Sequence, residues 1–415
     1  MQKKKSSLIK NILSLTFVQL ISYLAPIIIL PYLSRILNVE SFGLSMLLTS
    51  IILLSLLLTD FGFNLYSPSW IAKNQDDKKA ISKFVSSIFL LKSVLFLATS
   101  LIIFIYIHFS STFAENKLLI SFITILAIFS QTFQMTWLFQ GIERMANITL
   151  LTFLSKLSYI VLIIATVNEK NDVSAVIFSY AISNIFAAVL GIYLFYRMGY
   201  SLLKVNLKES FIILKSSFPF FLSRASVSIY TSASTFIIGS VAGLTQAALF
   251  SSAEKLYQAG QSVSFPISQA LYPYLSRTKS IKTFYRFMTI LIPPLVISIS
   301  IIFNYANEII VLFYGQEYAE ATSILQIFLI TTIVNFISVN FGYPAFSIIN
   351  RLDIPNKSVI FSSIIQLVIL FFLYTNNSID AKSIAISILV TESFVMIFRV
   401  YKFFVFSRKV LNENR

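Results

Sequence analysis

Long apolar runs follow one another along almost the whole chain, separated by short polar stretches in which Lys, Arg and Ser concentrate. A helix of about 20 apolar residues crosses the hydrocarbon core of a bilayer. Runs of this kind fall near 11–33, 41–64, 84–107, 118–140, 148–167, 174–196, 217–241, 247–272, 284–305, 322–343, 356–374 and 383–405. Lipid offers no partner for open backbone groups, so these runs are read as twelve transmembrane helices. The eighth is the weakest, because Glu254, Lys255, Gln258 and Gln261 interrupt it.

Composition agrees with this pattern. Hydrophobic residues make up 57% of the 415 positions and charged residues 12%, against about 45–50% and 25% in a soluble domain. That balance excludes a cytosolic enzyme and a disordered chain. With 0 Cys there is no disulfide framework, and 1 His cannot build a His-rich metal cluster. The N-terminal run follows Lys3, Lys4 and Lys5 and is too long for a signal-peptide core, so it reads as an uncleaved first span.

Charge sets the orientation. Lys+Arg is 32 against 17 acids, which in a soluble protein would suggest nucleic acid. In a membrane chain, basic residues gather instead in the cytoplasmic loops. With the N-terminus inside, 24 of the 32 cations lie in cytoplasmic segments or at the span ends that border them (Arg286, Lys357, Arg399 and Lys402), 4 lie outside (Arg35, Lys117, Lys170 and Lys382), and 4 lie deeper within spans (Lys92, Lys156, Arg224 and Lys255). One missed or invented span would scramble this 24-to-4 asymmetry, so the expectation is twelve spans with both termini cytoplasmic. Anionic lipid headgroups are natural partners for such a face.

The chain also resembles itself. Tyr66-Ser-Pro68-Ser-Trp70 ends span two and Leu271-Tyr-Pro273-Tyr-Leu275 ends span eight. Phe139-Gln-Gly-Ile-Glu-Arg144 follows span four and Phe346-Ser-Ile-Ile-Asn-Arg351 follows span ten. The offsets, 68 to 273 and 139 to 346, are nearly equal. Two six-helix bundles are therefore expected, 1–205 and 206–415, running parallel and related by an axis along the membrane normal.

Polar residues inside a membrane are costly and usually face a cavity. Span one carries Thr16, Gln19, Ser22, Tyr23 and Pro26 on one helical face, span seven carries Arg224, Ser228, Thr231 and Ser234/Thr235, and span eight carries Ser251, Glu254, Gln258, Gln261 and Ser262. Ser and Thr alone would serve helix packing equally well; the buried charges ask for more. The candidate substrate-binding set is Arg224, Lys255, Lys156, Lys92, Gln19, Arg35, Gln258 and Gln261, and the acids that could couple an ion are Glu254, Glu392 and Asp60. Cations would suit phosphate, and Ser and Gln would suit sugar hydroxyls. Lys92 is also placed to snorkel to the cytoplasm, and Arg35 to anchor an interface.

Chemistry beyond binding is not written into the chain. There is no Gly-rich phosphate loop, no Ser-His-Asp or Cys-His arrangement and no metal spacing. The longest outer loop, near 304–320, has Glu308, Glu317 and Glu320 but no Arg or His. Transport is expected rather than catalysis, with no cofactor.

Several stretches resemble the O-antigen (Wzx-type) flippases of the multidrug/oligosaccharidyl-lipid/polysaccharide exporter superfamily. They are Pro31-Tyr-Leu-Ser-Arg35-Ile-Leu-Asn-Val-Glu-Ser-Phe-Gly43, Asp60-Phe-Gly62-Phe, Trp137-Leu-Phe-Gln-Gly141-Ile-Glu143-Arg144-Met, Ala253-Glu254-Lys255-Leu, Ala270-Leu-Tyr-Pro273 and Phe313-Tyr-Gly315-Gln-Glu-Tyr318. The resemblance implies an all-α membrane protein with two six-helix bundles around a central cationic cavity. It implies movement of an undecaprenyl-diphosphate-linked oligosaccharide repeat from the inner to the outer leaflet of the bacterial cytoplasmic membrane, by alternating access coupled to an ion gradient. The polysaccharide polymerase and chain-length machinery would be its partners, and nucleic acid would not. Two other readings stand beside it: a multidrug or toxin exporter of the same superfamily, and a membrane glycan polymerase or ligase.

Overall fold

The computed structural model describes residues 25–113, 116–230 and 232–413, together with Val18, Ile21 and Ser22. All regular structure among these is helical. In chain order the helices are α1 (Ala25–Ile36), α2 (Val39–Asp60), α3 (Phe63–Lys73), α4 (Lys78–Phe109), α5 (Lys117–Thr132), α6 (Thr136–Gly141), α7 (Met145–Thr166), α8 (Val173–Arg197) and α9 (Leu207–Tyr230). They continue with α10 (Ser232–Val241), α11 (Leu244–Thr278), α12 (Ile281–Asn304), α13 (Ala306–Tyr314), α14 (Ala321–Asn340), α15 (Tyr343–Ile348), α16 (Asp353–Thr375) and α17 (Ala381–Glu413).

Nine helical stretches among the described residues are long and apolar enough to cross a membrane, and the chain is a multi-pass membrane protein. Three expected spans fall outside that set. Span one lies largely before the described residues. Span seven is described on either side of position 231, as α9 and α10. Span eight is the 35-residue α11, whose polar stripe lowers its hydropathy. Exposure runs opposite to that of a soluble protein. On α4, Val94, Leu97 and Leu101 are exposed while Ser82, Ser86, Ser87, Lys92 and Thr99 are buried. The expected outer loop near 304–320 contains α13 and a 3-10 turn, with Tyr314 and Tyr318 buried beneath it.

The chain divides into two compact units, Met1–Ser228 and Ile229–Arg415, so that the division falls late in α9. In the first, Phe63, Ile71, Phe84, Trp137 and Phe139 form the core, with Trp70 stacked on Phe84 at 3.9 Å between centroids. In the second, Phe403 packs edge-on against Phe284, Phe341 and Phe346.

The units repeat one local design. Asp77 caps α4 by accepting from Ala80 N at 2.8 Å, and Ser280 caps α12 by accepting from Thr283 N at 3.2 Å. Span four is broken into α5 and α6, and span ten into α14 and α15. The short helices, at 136–141 and 343–348, stand 207 positions apart at both ends. Each ends in a left-handed turn: Glu143 has φ 59° and Asn350 φ 55°. The following amide closes it, Arg144 N to Phe139 O at 2.8 Å and Arg351 N to Phe346 O at 3.0 Å. A side chain beyond the preceding basic loop's helix then covers a terminal carbonyl: Gln75 Nε2 donates to Gly141 O at 2.9 Å, and Lys279 Nζ to Ser347 O at 2.5 Å.

Candidate functional site

The first unit is organised around a kink. Phe61 and Gly62 take left-handed backbone conformations, φ 43° and 81°, and turn α2 into α3. A Cβ on Gly62 would lie 2.6 Å from Phe221 N and 2.7 Å from Ser217 O, so only glycine lets the α9 backbone come this close. Phe61 stacks on Phe221, with centroids 4.6 Å apart. The helix bearing Arg224 is thereby seated against the kink.

Charges converge at the same place. Asp60 lies 3.8 Å from Lys92 Nζ and 3.8 Å from Arg224 Nη1. Both distances exceed hydrogen-bond length. Lys92 is 3% exposed and donates to Thr132 O at 2.9 Å. That carbonyl ends α5, where no intrahelical donor reaches it and the helix dipole favours a cation. Lys92 is therefore turned inward onto the break between α5 and α6. Thr132 Oγ1 meets Thr59 Oγ1 at 3.1 Å, tying the same break to the residue before Asp60. Arg224 differs from Lys92: its side chain is 48% exposed. An ion pair this open contributes about 0–1 kcal/mol. Asp60 Oδ1 accepts from Asn64 N at 3.2 Å, whereas Asp60 Oδ2 is buried and accepts no hydrogen bond among the described residues. Asn64 Oδ1, Ser67 Oγ, Trp137 Nε1 and Ser217 Oγ, on the elements adjoining the kink, share that condition. So many unsatisfied polar atoms are expensive in a core, and a polar site is where they are found.

Amides and hydroxyls form a second group in this unit. Asn184 Oδ1 accepts from Gln134 Nε2 and from Ser155 Oγ, each at 2.9 Å. Gln131 bonds the Tyr180 hydroxyl, and Tyr159 meets the Tyr180 ring edge-on. None of these residues is a charge, and sequence reading passed over them; their signal was the polar interruption Ser130-Gln-Thr-Phe-Gln134 in an apolar run. Lys156 sits on α7 beside Ser155, partly buried, with no ion-pair or hydrogen-bond partner among the described residues.

In the second unit, Glu254 is 7% exposed and accepts from Thr235 Oγ1 at 3.3 Å. Lys255 donates to Gln258 Oε1 at 3.1 Å, and Gln258 also lies within reach of Glu254. Gln261 donates to the Tyr257 hydroxyl at 2.6 Å. The stripe on α11 thus holds two local polar groups, Glu254, Lys255 and Gln258 in one and Tyr257 and Gln261 in the other. Glu392, on α17, lies within reach of Asn335 and Arg399.

Arg399 is the residue most misplaced by sequence reading, which counts it among the cytoplasmic cations. It is 8% exposed. Its Nε donates to Ser358 Oγ at 2.8 Å and its Nη1 to Ser338 O at 2.9 Å. Ser338 stands 206 positions after Thr132, near the end of α14. Each broken span therefore has a carbonyl covered by a buried cation, drawn from α4 in one unit and from α17 in the other. Of the remaining candidates, Arg35 is exposed at the end of α1. Gln19, Thr16, Tyr23 and Thr231 lie outside the described residues. No group of three or more His, Cys, Asp or Glu among the described residues is placed to hold a metal ion.

Comparison with known proteins gives one family. The model of the family described as "Polysaccharide biosynthesis protein" matches residues 8–279. A protein of Shigella dysenteriae named "Putative O-antigen transporter" is 33% identical over 270 residues, covering 65% of this chain and 67% of that one. A protein of the same name from Escherichia coli (strain K12) is 30% identical over 283 residues, covering 67% of each. Among solved structures, an inward-facing multidrug resistance MATE family transporter of the MOP superfamily aligns with TM-score 0.71 at 15% identity, over 96% of this chain and 99% of that one. The lipid II flippase MurJ, inward closed, aligns with TM-score 0.67 at 13% identity, over 95% and 87%. The structural likenesses establish a shared helical fold. With the family model spanning more than half its length and a relative one-third identical, this chain belongs to the polysaccharide biosynthesis protein family.

Proposed function

We propose that the chain is a flippase that carries a lipid-linked oligosaccharide from the inner to the outer leaflet of the bacterial cytoplasmic membrane. The observation that carries this reading is Arg224: a half-exposed guanidinium over a polar kink, paired with Asp60 only at 3.8 Å. An arginine fork matches phosphate oxygens in a bidentate geometry. An undecaprenyl diphosphate supplies such oxygens, and the amide-rich group around Asn184 suits sugar hydroxyls. Lys255 and Lys156 add positive charge, with Gln258 and Gln261 as hydrogen-bonding partners for the glycan. A cationic drug would be repelled by the same cations, which disfavours multidrug export. The names of the Shigella and Escherichia relatives, and the activity of MurJ, agree with transport of a lipid-linked saccharide rather than with polymerisation.

The excess of cytoplasmic cations supports termini on the cytoplasmic side, and the flipped repeat would pass to the polymerase and chain-length machinery. Glu254 and Glu392 are the proposed coupling acids, since each is enclosed by polar partners within its own unit; Glu→Gln variants with unchanged pH dependence of export would remove them. The decisive experiment is a deletion strain. Single diphosphate-linked repeats should accumulate on the cytoplasmic leaflet while surface polysaccharide disappears. Accumulation on the outer leaflet would assign polymerisation instead. In complementation, Arg224→Ala should fail to restore export at normal protein levels, and full restoration would overturn the role of Arg224.

A further inference from the structure

We propose that Asp60 is the internal occupant of Arg224, displaced by the cargo's phosphate, so that anion binding releases α9 from the α2–α3 kink. The inference rests on the reading that Arg224 receives that phosphate, and it assigns Asp60 the work of a positioning residue.

Three observations lead here. First, one carboxylate faces two basic side chains at equal distance, 3.8 Å. They are not equivalent. Lys92 is buried and anchored to Thr132 O, whereas Arg224 is half exposed and makes no hydrogen bond to Asp60. When an anion competes, Arg224 is the partner that can leave, and Lys92 stays with Asp60. Second, Arg224 is on the helix whose backbone rests against Gly62 and whose Phe221 stacks on Phe61. The charge pair sits one residue before Phe61 and three after Phe221, about one turn along the same contact. Removing it takes away the electrostatic part of the seat and leaves only packing. Third, Asp60 Oδ2 is buried with no protein hydrogen-bond donor among the described residues. A carboxylate oxygen held only by distant charge is a weak competitor against phosphate, whose oxygens accept short charge-assisted bonds from a guanidinium. An unsatisfied acceptor at rest is what allows the exchange in both directions: Asp60 holds the arginine when cargo is absent and takes it back when cargo leaves.

The chain's lack of Cys makes the seat directly measurable. Tyr66→Cys and Phe220→Cys together place the protein's two thiols across the same contact and leave the Phe61–Phe221 stack in place, and a short bifunctional thiol reagent reports its rate of closure in detergent. The probe is geranyl diphosphate. In the parent pair, crosslinking should slow about fivefold when the probe is added. Asp60→Asn should slow it to a similar extent without probe, and Asp60→Glu should restore it. In binding measurements on the Cys-free chain, Asp60→Asn should tighten geranyl diphosphate about tenfold. In the Arg224→Gln background that tightening should vanish. Unchanged crosslinking in Asp60→Asn overturns the inference, as does tightening that survives without Arg224, which would mark a general charge effect. Binding that depends on Arg224 but leaves crosslinking unchanged would keep the phosphate reading and defeat the exchange. Binding indifferent to Arg224→Gln would defeat the phosphate reading itself, and the exchange with it.

Discussion

Glu143 and Asn350, 207 positions apart, hold the same left-handed backbone conformation, φ 59° and 55°, at the end of the two short helices that complete the broken spans. The same bond closes both turns, from the next amide to the carbonyl five residues back. Asn tolerates this conformation, because its short side chain can bond locally, whereas Glu pays for its Cβ. Glu143→Asn should therefore raise thermal stability by about 0.5–1 kcal/mol, while Asn350→Gly should change it little. A melting curve in detergent for each variant checks the pair. Equal gains in both would mean that Asn carries the same strain as Glu in this turn.

Lys92 gives a prediction with a built-in rescue. It is buried between Asp60 and the Thr132 carbonyl. Removing one member of a buried pair leaves an uncompensated charge, which costs about 3–5 kcal/mol. Lys92→Met leaves Asp60 facing only the half-exposed Arg224 at 3.8 Å and should lose stability towards the lower end of that scale, and Lys92→Met with Asp60→Asn should recover part of it, since no under-compensated carboxylate remains. The check is thermal unfolding of the single and double variants. A double variant as unstable as Lys92→Met alone would show that the Thr132 carbonyl, and not Asp60, sets the cost.

What the sequence made legible follows from the length scale of each signal. Hydropathy over twenty residues anticipated the nine spanning stretches found among the described residues, and the weak eighth run is the polar α11. The Arg144/Arg351 correspondence falls on matching turns, because turn chemistry is local, whereas Pro68 lies on the short α3 after a kink and Pro273 within the unbroken α11. Asp60, Lys92 and Arg224 were each singled out, but for different roles: coupling ion, cargo cation, cargo cation. Their meeting at one point depends on a kink at Phe61–Gly62 and on α9 reaching back to it, which no periodicity encodes. Arg399 was misplaced for a related reason. It stands near the end of an apolar run, where a charge ordinarily marks the interface, yet α17 extends to Glu413 and carries Arg399 inside. The Asn184 group was passed over because neutral amides in an apolar run resemble helix–helix packing.

Arg399 can be tested by its fork. Nε and Nη1 serve two partners, Ser358 Oγ and Ser338 O, at 2.8 and 2.9 Å. Lysine keeps the charge but cannot reach both in that geometry. Arg399→Lys should cost about 1.5–3 kcal/mol, the range for hydrogen bonds to charged groups. Ser358→Ala alone should cost less, and the double variant little more than Arg399→Lys, because both changes remove the same bond. Additive losses would show that Arg399 and Ser358 act independently.

Gly62 and Gly199 separate backbone strain from close approach. Both have positive φ, 81° and 82°. At Gly62 an added Cβ meets the α9 backbone at 2.6 and 2.7 Å; at Gly199 the nearest atom is Lys78 Nζ, at an ordinary contact distance of 3.6 Å. Alanine at either site forces a left-handed conformation, worth about 1 kcal/mol at the low end of such strain. Only at Gly62 must two helices also move apart, an overpacking penalty of about 1–3 kcal/mol. Gly62→Ala should therefore lose about 2–4 kcal/mol in total, and Gly199→Ala about a third of that. Because the displaced helix carries Phe221, Ser217 and Arg224 together, Gly62→Ala should also lower geranyl diphosphate affinity, while Gly199→Ala should not. Melting curves and binding isotherms on the two variants, taken side by side, decide it: equal losses at both glycines would mean that the α9 contact contributes nothing beyond the turn.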